Sequence, residues 1–336
     1  MGTLYSYARG NFGLLIQGDG FITYTISETL IDKTDLKIIN LLSRDGRISY
    51  RTISSTVRIT PNAVKKRIHK LSSKGIIQRF VVRVNPVLLG YAKECYLTIK
   101  HIDKGISEED IIKKLNLIGD IQVYAKEMGR SSICALAARS EAEDKIASMK
   151  ELLRPSAVES RFISYKPVSV KIHISDFKII KSLLSNPRMQ VEDIAKETSL
   201  STKTVTRRLE KLRENHIVEF GIIRNMSSMH LVGYIEFAVI IDIDKSLFQK
   251  ILERIYHEMQ DYLLFILNMN QNELIFAVLS CTNIPTVDSI LEKLESYEGV
   301  KQIEPHITTK LIYYQDWLQR EIDKRLKKKE EDSGNS

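Results

Sequence analysis

The chain has 336 residues, 43% hydrophobic and 27% charged, which suits two or more folded cores and excludes a disordered or fibrous class. Its longest apolar runs, FAVII and YLLFIL, are far too short to span a bilayer. The first residues also lack the pattern of a secretory signal, so the cytoplasm is the expected compartment. Three scattered cysteines (Cys95, Cys134, Cys281) and seven dispersed histidines show no CxxC, HxxxH or HExxH spacing, so no disulfide framework, metal or cofactor is expected, while a net charge of +8 suggests an anionic partner.

Residues 1–31 form an extension in which FGLLIQGDGFITYTI either closes a hairpin around Gly18-Asp19-Gly20 or stays unstructured. Residues 32–86 then read as three short helices and a strand. Ile38, Ile39 and Leu42 share one face of the first helix, and the second runs over about Tyr50–Val57. The third starts at Thr60, an N-cap type, with Pro61 in the first helical position. Val64, Ile68 and Leu71 face inward at spacings of four and three, which turns Asn62, Lys65, Lys66 and His69 outward. Two short helices with a tight turn and a basic amphipathic second member form the helix-turn-helix pattern, and IIQRFVVRV is expected as its wing.

Residues 87–172 change to strand–helix alternation. Strand Tyr96–Ile102 precedes a helix from Ser107 carrying Ile111, Ile112, Leu115 and Ile118. Strands Ile121–Met128 and Ile133–Ala138 flank the turn GRSS, a helix opens with a Ser140…Glu143 capping box, and a last strand covers about Val158–Lys166. The order β-α-β-β-α-β predicts a ferredoxin-like domain, with two helices on one face of an antiparallel sheet. The bare sheet face requires a cover, either the chain's other sheet or another chain.

The whole unit is then written again. Asp35–Arg79 overlays Asp176–Phe220 at an offset of 141 with 12 of 45 positions identical, among them Asp35/Asp176, Arg47/Arg188 and Arg67/Arg208. Residues 173–228 repeat the helix-turn-helix, with Lys203, Thr206, Arg207 and Glu210 outward and IVEFGIIRN as wing. Residues 229–314 repeat the αβ pattern with strands Ile235–Ile243, Tyr262–Met269, Leu274–Leu279 and Val300–Tyr313, and NQNE as the turn. Residues 315–336 add a helix with Trp317, Leu318, Ile322 and Leu326, then a polar tail. The fold class is therefore α+β, a winged helix-turn-helix plus a ferredoxin-like domain, in tandem.

Charge separates the copies. Residues 35–85 hold 12 Lys/Arg against 2 Asp/Glu, while residues 176–226 hold 10 against 7. The first excess coincides with the outward face of a helix-turn-helix, which points to double-stranded DNA. Asn62, Lys65, Lys66 and His69 are expected in the major groove, Arg47, Arg51, Arg79 and Arg83 on phosphates, and Lys203, Thr206 and Arg207 as the second unit's contacts. Arg67 and Arg208, beside the buried stripe, suit either a phosphate or an intramolecular pair.

DLKIINLLSRDGRIS, TPNAVKKRIHKLSSKGII and VNPVLLGY, with their counterparts DFKIIKSLLSNPRMQ, STKTVTRRLEKLRENHIV and MHLVGY, resemble the Lrp/AsnC (feast/famine) family of prokaryotic transcription regulators. The resemblance covers residues 32–314 as two fused copies. It implies dimerisation through the αβ domains, here as a pseudo-dimer within one chain or as a homo-oligomer. Half-sites about 34 Å apart follow if both units engage one DNA face. With the Ile/Lys-rich composition, the family's distribution points to an archaeal source. The resemblance also implies an amino-acid or small-metabolite effector at the turns between the second and third strands. The family's turn carries a Gly and then an Asp; GRSS lacks the acid and NQNE lacks the Gly, which leaves Gly129, Ser132 and Glu273 as the effector candidates. Two other readings share the pattern: an enzyme like the siroheme decarboxylases, and a regulator whose second helix-turn-helix is structural or binds a partner.

Overall fold

The computed structural model describes residues 31–91, 93–101, 107–138, 144, 147–148, 150–151, 153, 156–163 and 171–334. The hairpin around Gly18 and the Ser140…Glu143 capping box lie outside the described residues. Helices α1 (Lys33–Arg44), α2 (Tyr50–Val57) and α3 (Pro61–Ser73) precede strand β1 (Ile77–Val84). Strand β2 (Lys93–Lys100), helix α4 (Glu108–Leu115) and strands β3 (Asp120–Glu127), β4 (Ser131–Ala138) and β5 (Ala157–Phe162) complete the first half.

The second half repeats the order as α5 (Ile174–Ser185), α6 (Val191–Thr198), α7 (Thr202–Glu214), β6 (Val218–Arg224), a short α8 (Met226–Leu231), β7 (Ile235–Ile243) and α9 (Phe248–Glu258). It closes with β8 (Leu263–Met269), β9 (Leu274–Cys281), α10 (Ile284–Glu295), β10 (Val300–Tyr313) and α11 (Asp316–Gly334). Among the described residues, no helix is long and apolar enough to cross a membrane.

Local signals set the helix boundaries. Asp32 and Asp35 form a reciprocal capping box at α1, satisfying two N–H groups that the helix cannot. The Thr60 hydroxyl accepts from the Ala63 N–H at 3.2 Å, and Pro61 occupies the first turn of α3, where its missing N–H costs nothing. Arg58 and Ser199, each ending the second helix of its unit, share a left-handed backbone (φ 58° and 57°), so the tight turn is duplicated with the sequence.

The eight αβ strands run continuously in the order β5-β2-β4-β3-β10-β7-β9-β8, a first four-stranded sheet (β5-β2-β4-β3) joined edge to edge with a second (β10-β7-β9-β8). Strand β10 joins the halves: its first part, Val300–Ile307, pairs with β7, and Thr308–Tyr313 pairs with β3. A bridge between Ile163 and Met269 brings the two outer strands together. The two sheet faces thus cover each other, burying Ala125, Ile133, Ala238, Ile240, Phe276 and Val278 between them, while the helices close the outer faces.

The expected wings take a different form. Strands β1 and β6 pair antiparallel with each other, Val81 opposite Gly221, as a two-stranded ribbon shared by both units. Two apolar strands 141 residues apart satisfy their backbone groups across the repeat rather than in local hairpins. The units then pack crosswise. Ile222, Met229 and Tyr234 of the second half complete the core around Ile38, Ile53 and Val64. Val82, Val84, Leu89 and Tyr91 of the first half, with Trp317 and Leu318 of α11, complete the core around Ile179, Ile194 and Val205.

Candidate nucleic-acid interface

Helix α3 buries Val64, Ile68 and Leu71 and exposes Asn62, Lys65, Lys66 and His69. None of these four side chains has an intramolecular partner among the described residues, so the face is an unshielded cationic surface. Arg51 on α2 is also exposed and has no side-chain partner among the described residues. Helix α7 buries Val205, Leu209 and Leu212 and exposes Lys203, Thr206 and Arg207, but Glu210 and Glu214 share its surface. The same scaffold therefore presents a basic face in one unit and a mixed one in the other.

Arg67 and Arg208 are internal clasps. Arg67 Nη1 reaches Asp32 and Asp35 at 2.7 and 2.8 Å, and its pKa is raised by hydrogen bonds to Asp35 and then Asp32. Arg208 Nη1 reaches Asp176 at 3.1 Å. Asp35 and Asp176 are both buried, so each pair ties the recognition helix to the first helix of its own unit.

Three of the four arginines expected on phosphates turn inward, and two of them, Arg47 and Arg79, are engaged by main-chain carbonyls. Arg47 donates to the carbonyls of Pro187 and Met189 at 2.7 and 2.9 Å and lies over the Phe220 ring. Arg188, its repeat counterpart, reciprocates onto the Gly46 and Ile48 carbonyls at 2.7 and 3.2 Å and lies over Tyr50 and Phe80. The two loops thus cross-clamp the helix-turn-helix units. A Cβ on Gly46 would stand 2.6 Å from the Gly221 carbonyl, so this closeness of loop and ribbon requires glycine.

Arg79 donates to the Tyr313 carbonyl at 2.6 Å and stacks on its ring, fixing the ribbon to β10. Arg83 turns under the ribbon, 3.8 Å from Glu219 and over Phe265. Arg44, which drew no attention in the sequence, donates to the Leu263 carbonyl at 2.9 Å and anchors α1 on the second sheet.

The turn candidates stay apart from the cavities. Gly129 sits at φ +77°, so its place is set by turn geometry. Ser132 is fully buried against the His101 Nε2 at 3.1 Å, and Glu273 is exposed. A cavity of about 490 Å³ is lined instead by Lys100, Arg161, Asn270 and Glu304.

Beneath the ribbon, a second cavity of about 610 Å³ is lined by both helix-turn-helix units and both sheets. It holds a charged cluster that the sequence reading missed. Arg224 and Glu236 form a buried ion pair at 2.6 Å, and Arg224 also donates to the Ser43 hydroxyl of α1 at 2.8 Å. Burial pushes the Glu94 carboxyl up to about 8 and Glu127 to about 7. The available signal was a glutamate at the second position of both matching strands, KECYLTIK and IEFAVIIDI.

The family model described as AsnC-type helix-turn-helix domain matches residues 31–72, and that described as winged helix-turn-helix DNA-binding matches residues 172–219. An uncharacterized HTH-type transcriptional regulator of Pyrococcus furiosus is 32% identical over 153 residues, 44% of this chain and 97% of that one. The HTH-type transcriptional regulator LrpA of Pyrococcus horikoshii is 38% identical over 74 residues, 22% of this chain and 50% of its own length. A solved structure of the siroheme decarboxylase NirDL superposes with a TM-score of 0.48 at 13% identity, over 89% of this chain and all of that one, a likeness too low to bear on function.

Proposed function

The chain belongs to the Lrp/AsnC family of DNA-binding transcription regulators, and from that premise we propose that a single chain acts as a self-contained pseudo-dimer on DNA. Helix α3 enters the major groove with Asn62, Lys65, Lys66 and His69 toward the bases, and Arg51 holds a phosphate. Helix α7 follows on the same DNA face through Lys203, Thr206 and Arg207. The observation that carries this reading is the α3 face, four polar or basic side chains without intramolecular partners among the described residues. The intramolecular β1–β6 pairing supports the single-chain arrangement, because it supplies within one chain the contact that two copies would otherwise provide. The protein acts in the cytoplasm as a regulator rather than as an enzyme, as the family's helix-turn-helix matches and regulator-named relatives suggest.

A second reading leaves DNA to the first unit, favoured by the balance of 12 Lys/Arg to 2 Asp/Glu against 10 to 7. Selection from a random DNA pool, followed by affinity measurements across salt, tests both. Each neutralised phosphate should lower log affinity by about 0.9 per log unit of salt. A salt-independent affinity would overturn the DNA reading. Lys203→Glu with Arg207→Glu leaving affinity unchanged would establish the one-handed form. An effector at Gly129, Ser132 or Glu273 is a further part of the proposal, to be read from metabolite-dependent shifts of operator affinity.

A further inference from the structure

The duplication offers an internal comparison. Arg83 and Arg224 stand at matching places in the ribbon strands, and Glu94 and Glu236 at matching places in the strands that follow. In the second half the pair is closed, with Arg224 Nη2 2.6 Å from Glu236 and both groups buried. In the first half it is open. Among the described residues Arg83 has one ion pair, with Glu219 at 3.8 Å, lies over the Phe265 ring, and has no partner for its buried Nε–H. Glu94 is buried beside Arg83 and the Gln122 amide, without an ion pair among the described residues. The same arginine–glutamate position is therefore zipped on one side of the molecule and left open on the other.

The open side faces the cavity of about 610 Å³ beneath the ribbon, a volume typical of small-molecule sites. One wall is apolar: Ala125, Ile133, Phe276, Val278 and Leu311. Exposed His216, Glu219 and Tyr256 stand at the lining's outer side and give a route in from solvent. Of the arginines in this lining, Arg224 is neutralised by Glu236, and Arg44 is engaged by main-chain carbonyls at the periphery. The guanidinium left to a guest is that of Arg83, with a donor free to point at an acceptor.

We propose that this cavity binds a small organic monocarboxylate with an apolar body, its carboxylate on the Arg83 guanidinium and its body against Ile133, Phe276 and Val278. A charge-assisted bond in a low-dielectric cavity fixes the head, and the apolar wall supplies most of the area removed from water. Neutral Glu94 adds an O–H donor beside Arg83, whereas ionised Glu94 would repel the ligand. The other charged or titratable groups acting on Glu94 are Arg83 on β1, Glu219 on β6, Cys95 and Tyr96 on its own strand, and Tyr313 on β10. An alkylammonium ligand would instead face the Arg83 cation, whose ion pair with Glu219 is a long one at 3.8 Å. The site is separate from the turns at Gly129 and Asn270.

The lining gives the site a mechanical role. Ser43 and Arg44 belong to α1, Arg83 and Ile223 to the ribbon, and Ala125 and Phe276 to the two sheets. A guest touches every element that relates the helix-turn-helix pair to its base, so occupancy changes DNA affinity. Binding stands apart from the DNA reading; only this coupling rests on it.

Calorimetric titration of the full chain with hexanoate, hexanol, hexylammonium and leucine at neutral pH tests the site. Hexanoate should bind tightest of the four, and Arg83→Gln should weaken it by about tenfold or more while leaving hexanol unchanged, the loss of one charge-assisted contact. Hexanoate affinity should also fall in the wild type as pH rises past about 8, and fall less in Glu94→Gln, where Glu127, raised to about 7 in the same lining, is the carboxyl left to titrate. Operator affinity should respond to hexanoate in the wild type and not in Arg83→Gln. Absence of hexanoate binding, equal or tighter binding of hexylammonium or leucine, or an unchanged affinity in Arg83→Gln overturns the site. Should Arg83→Gln fail to fold, identical pH profiles for the wild type and Glu94→Gln overturn it instead. Hexanoate binding without any effect on DNA affinity overturns the coupling alone.

Discussion

Replacing Arg47 by alanine separates two roles that the same charge could play. On a phosphate, its loss would lower the salt dependence of DNA affinity and leave the free protein as stable as before. The structure spends it on the Pro187 and Met189 carbonyls at 2.7 and 2.9 Å and on the Phe220 ring at 5.3 Å. Two charge-assisted bonds are each worth about 1.5 kcal/mol or more, and the cation–π contact about 0.5–1 kcal/mol. The rotamer freedom regained on truncation, together with relief of repulsion, offsets part of this. Burial first, then the nearby Arg213 and Arg188, depress the Arg47 pKa, so its neighbours oppose its charge. A net loss of about 2 kcal/mol follows, lowering Tm by a few degrees in a chain of this size. Removing Arg188 as well should cost more than the sum of the single losses, because each single removal already relieves the repulsion between the two cations and the double removal relieves it only once. Thermal melts and fluorescence anisotropy on operator DNA across salt measure both quantities. An unchanged Tm with a salt slope reduced by about 0.9 would refute the clamp.

Other outcomes follow from the same geometry. Lys65→Ala and Lys66→Ala should each cost about 1–3 kcal/mol of operator binding, and sequencing of selected DNA should show relaxed base preference. Glu236→Gln leaves Arg224 buried without its counter-charge and should destabilise the fold by about 3–5 kcal/mol in a thermal melt. Glu94 and Glu127 both have folded pKa values raised above the ordinary carboxylate range, so the folded chain holds more protons than the unfolded one across that window. Their contribution to stability is present below about 4.5, the unfolded value, and is lost as pH rises toward about 7 to 8. Melts across pH should show a flatter dependence in the Glu94→Gln, Glu127→Gln double variant.

Much of this architecture was legible because it is local. Helix faces follow from the spacing of Ile38, Ile39 and Leu42 or of Val64, Ile68 and Leu71, and the start of the recognition helix from its Thr60 cap. The αβ order was equally plain, with Ile235–Ile243 and Val300–Tyr313 matching the expected strands. Long-range partners were not legible. Nothing near IIQRFVVRV says that its mate is IVEFGIIRN, since both have apolar residues and neither carries a hairpin turn of its own. Whether an arginine meets solvent or a carbonyl depends on residues 140–234 positions away, as for Arg47 and Arg79, and charge counting treats both situations alike. The α3 face escaped this difficulty because helical geometry alone turns it outward.

The crosswise packing has a consequence for the order of synthesis. The first helix-turn-helix leaves the ribosome early, yet its core needs Ile222, Met229 and Tyr234. Strand β3 likewise waits for Thr308–Tyr313 before its open edge is paired. A nascent chain halted after its first copy would hold a basic helix-turn-helix with an unfinished core and an unpaired sheet edge, a target for chaperones and proteases. Tandem fusion therefore makes the two halves one unit of folding as well as one reading frame, with DNA-binding shape acquired only after the second copy has been made.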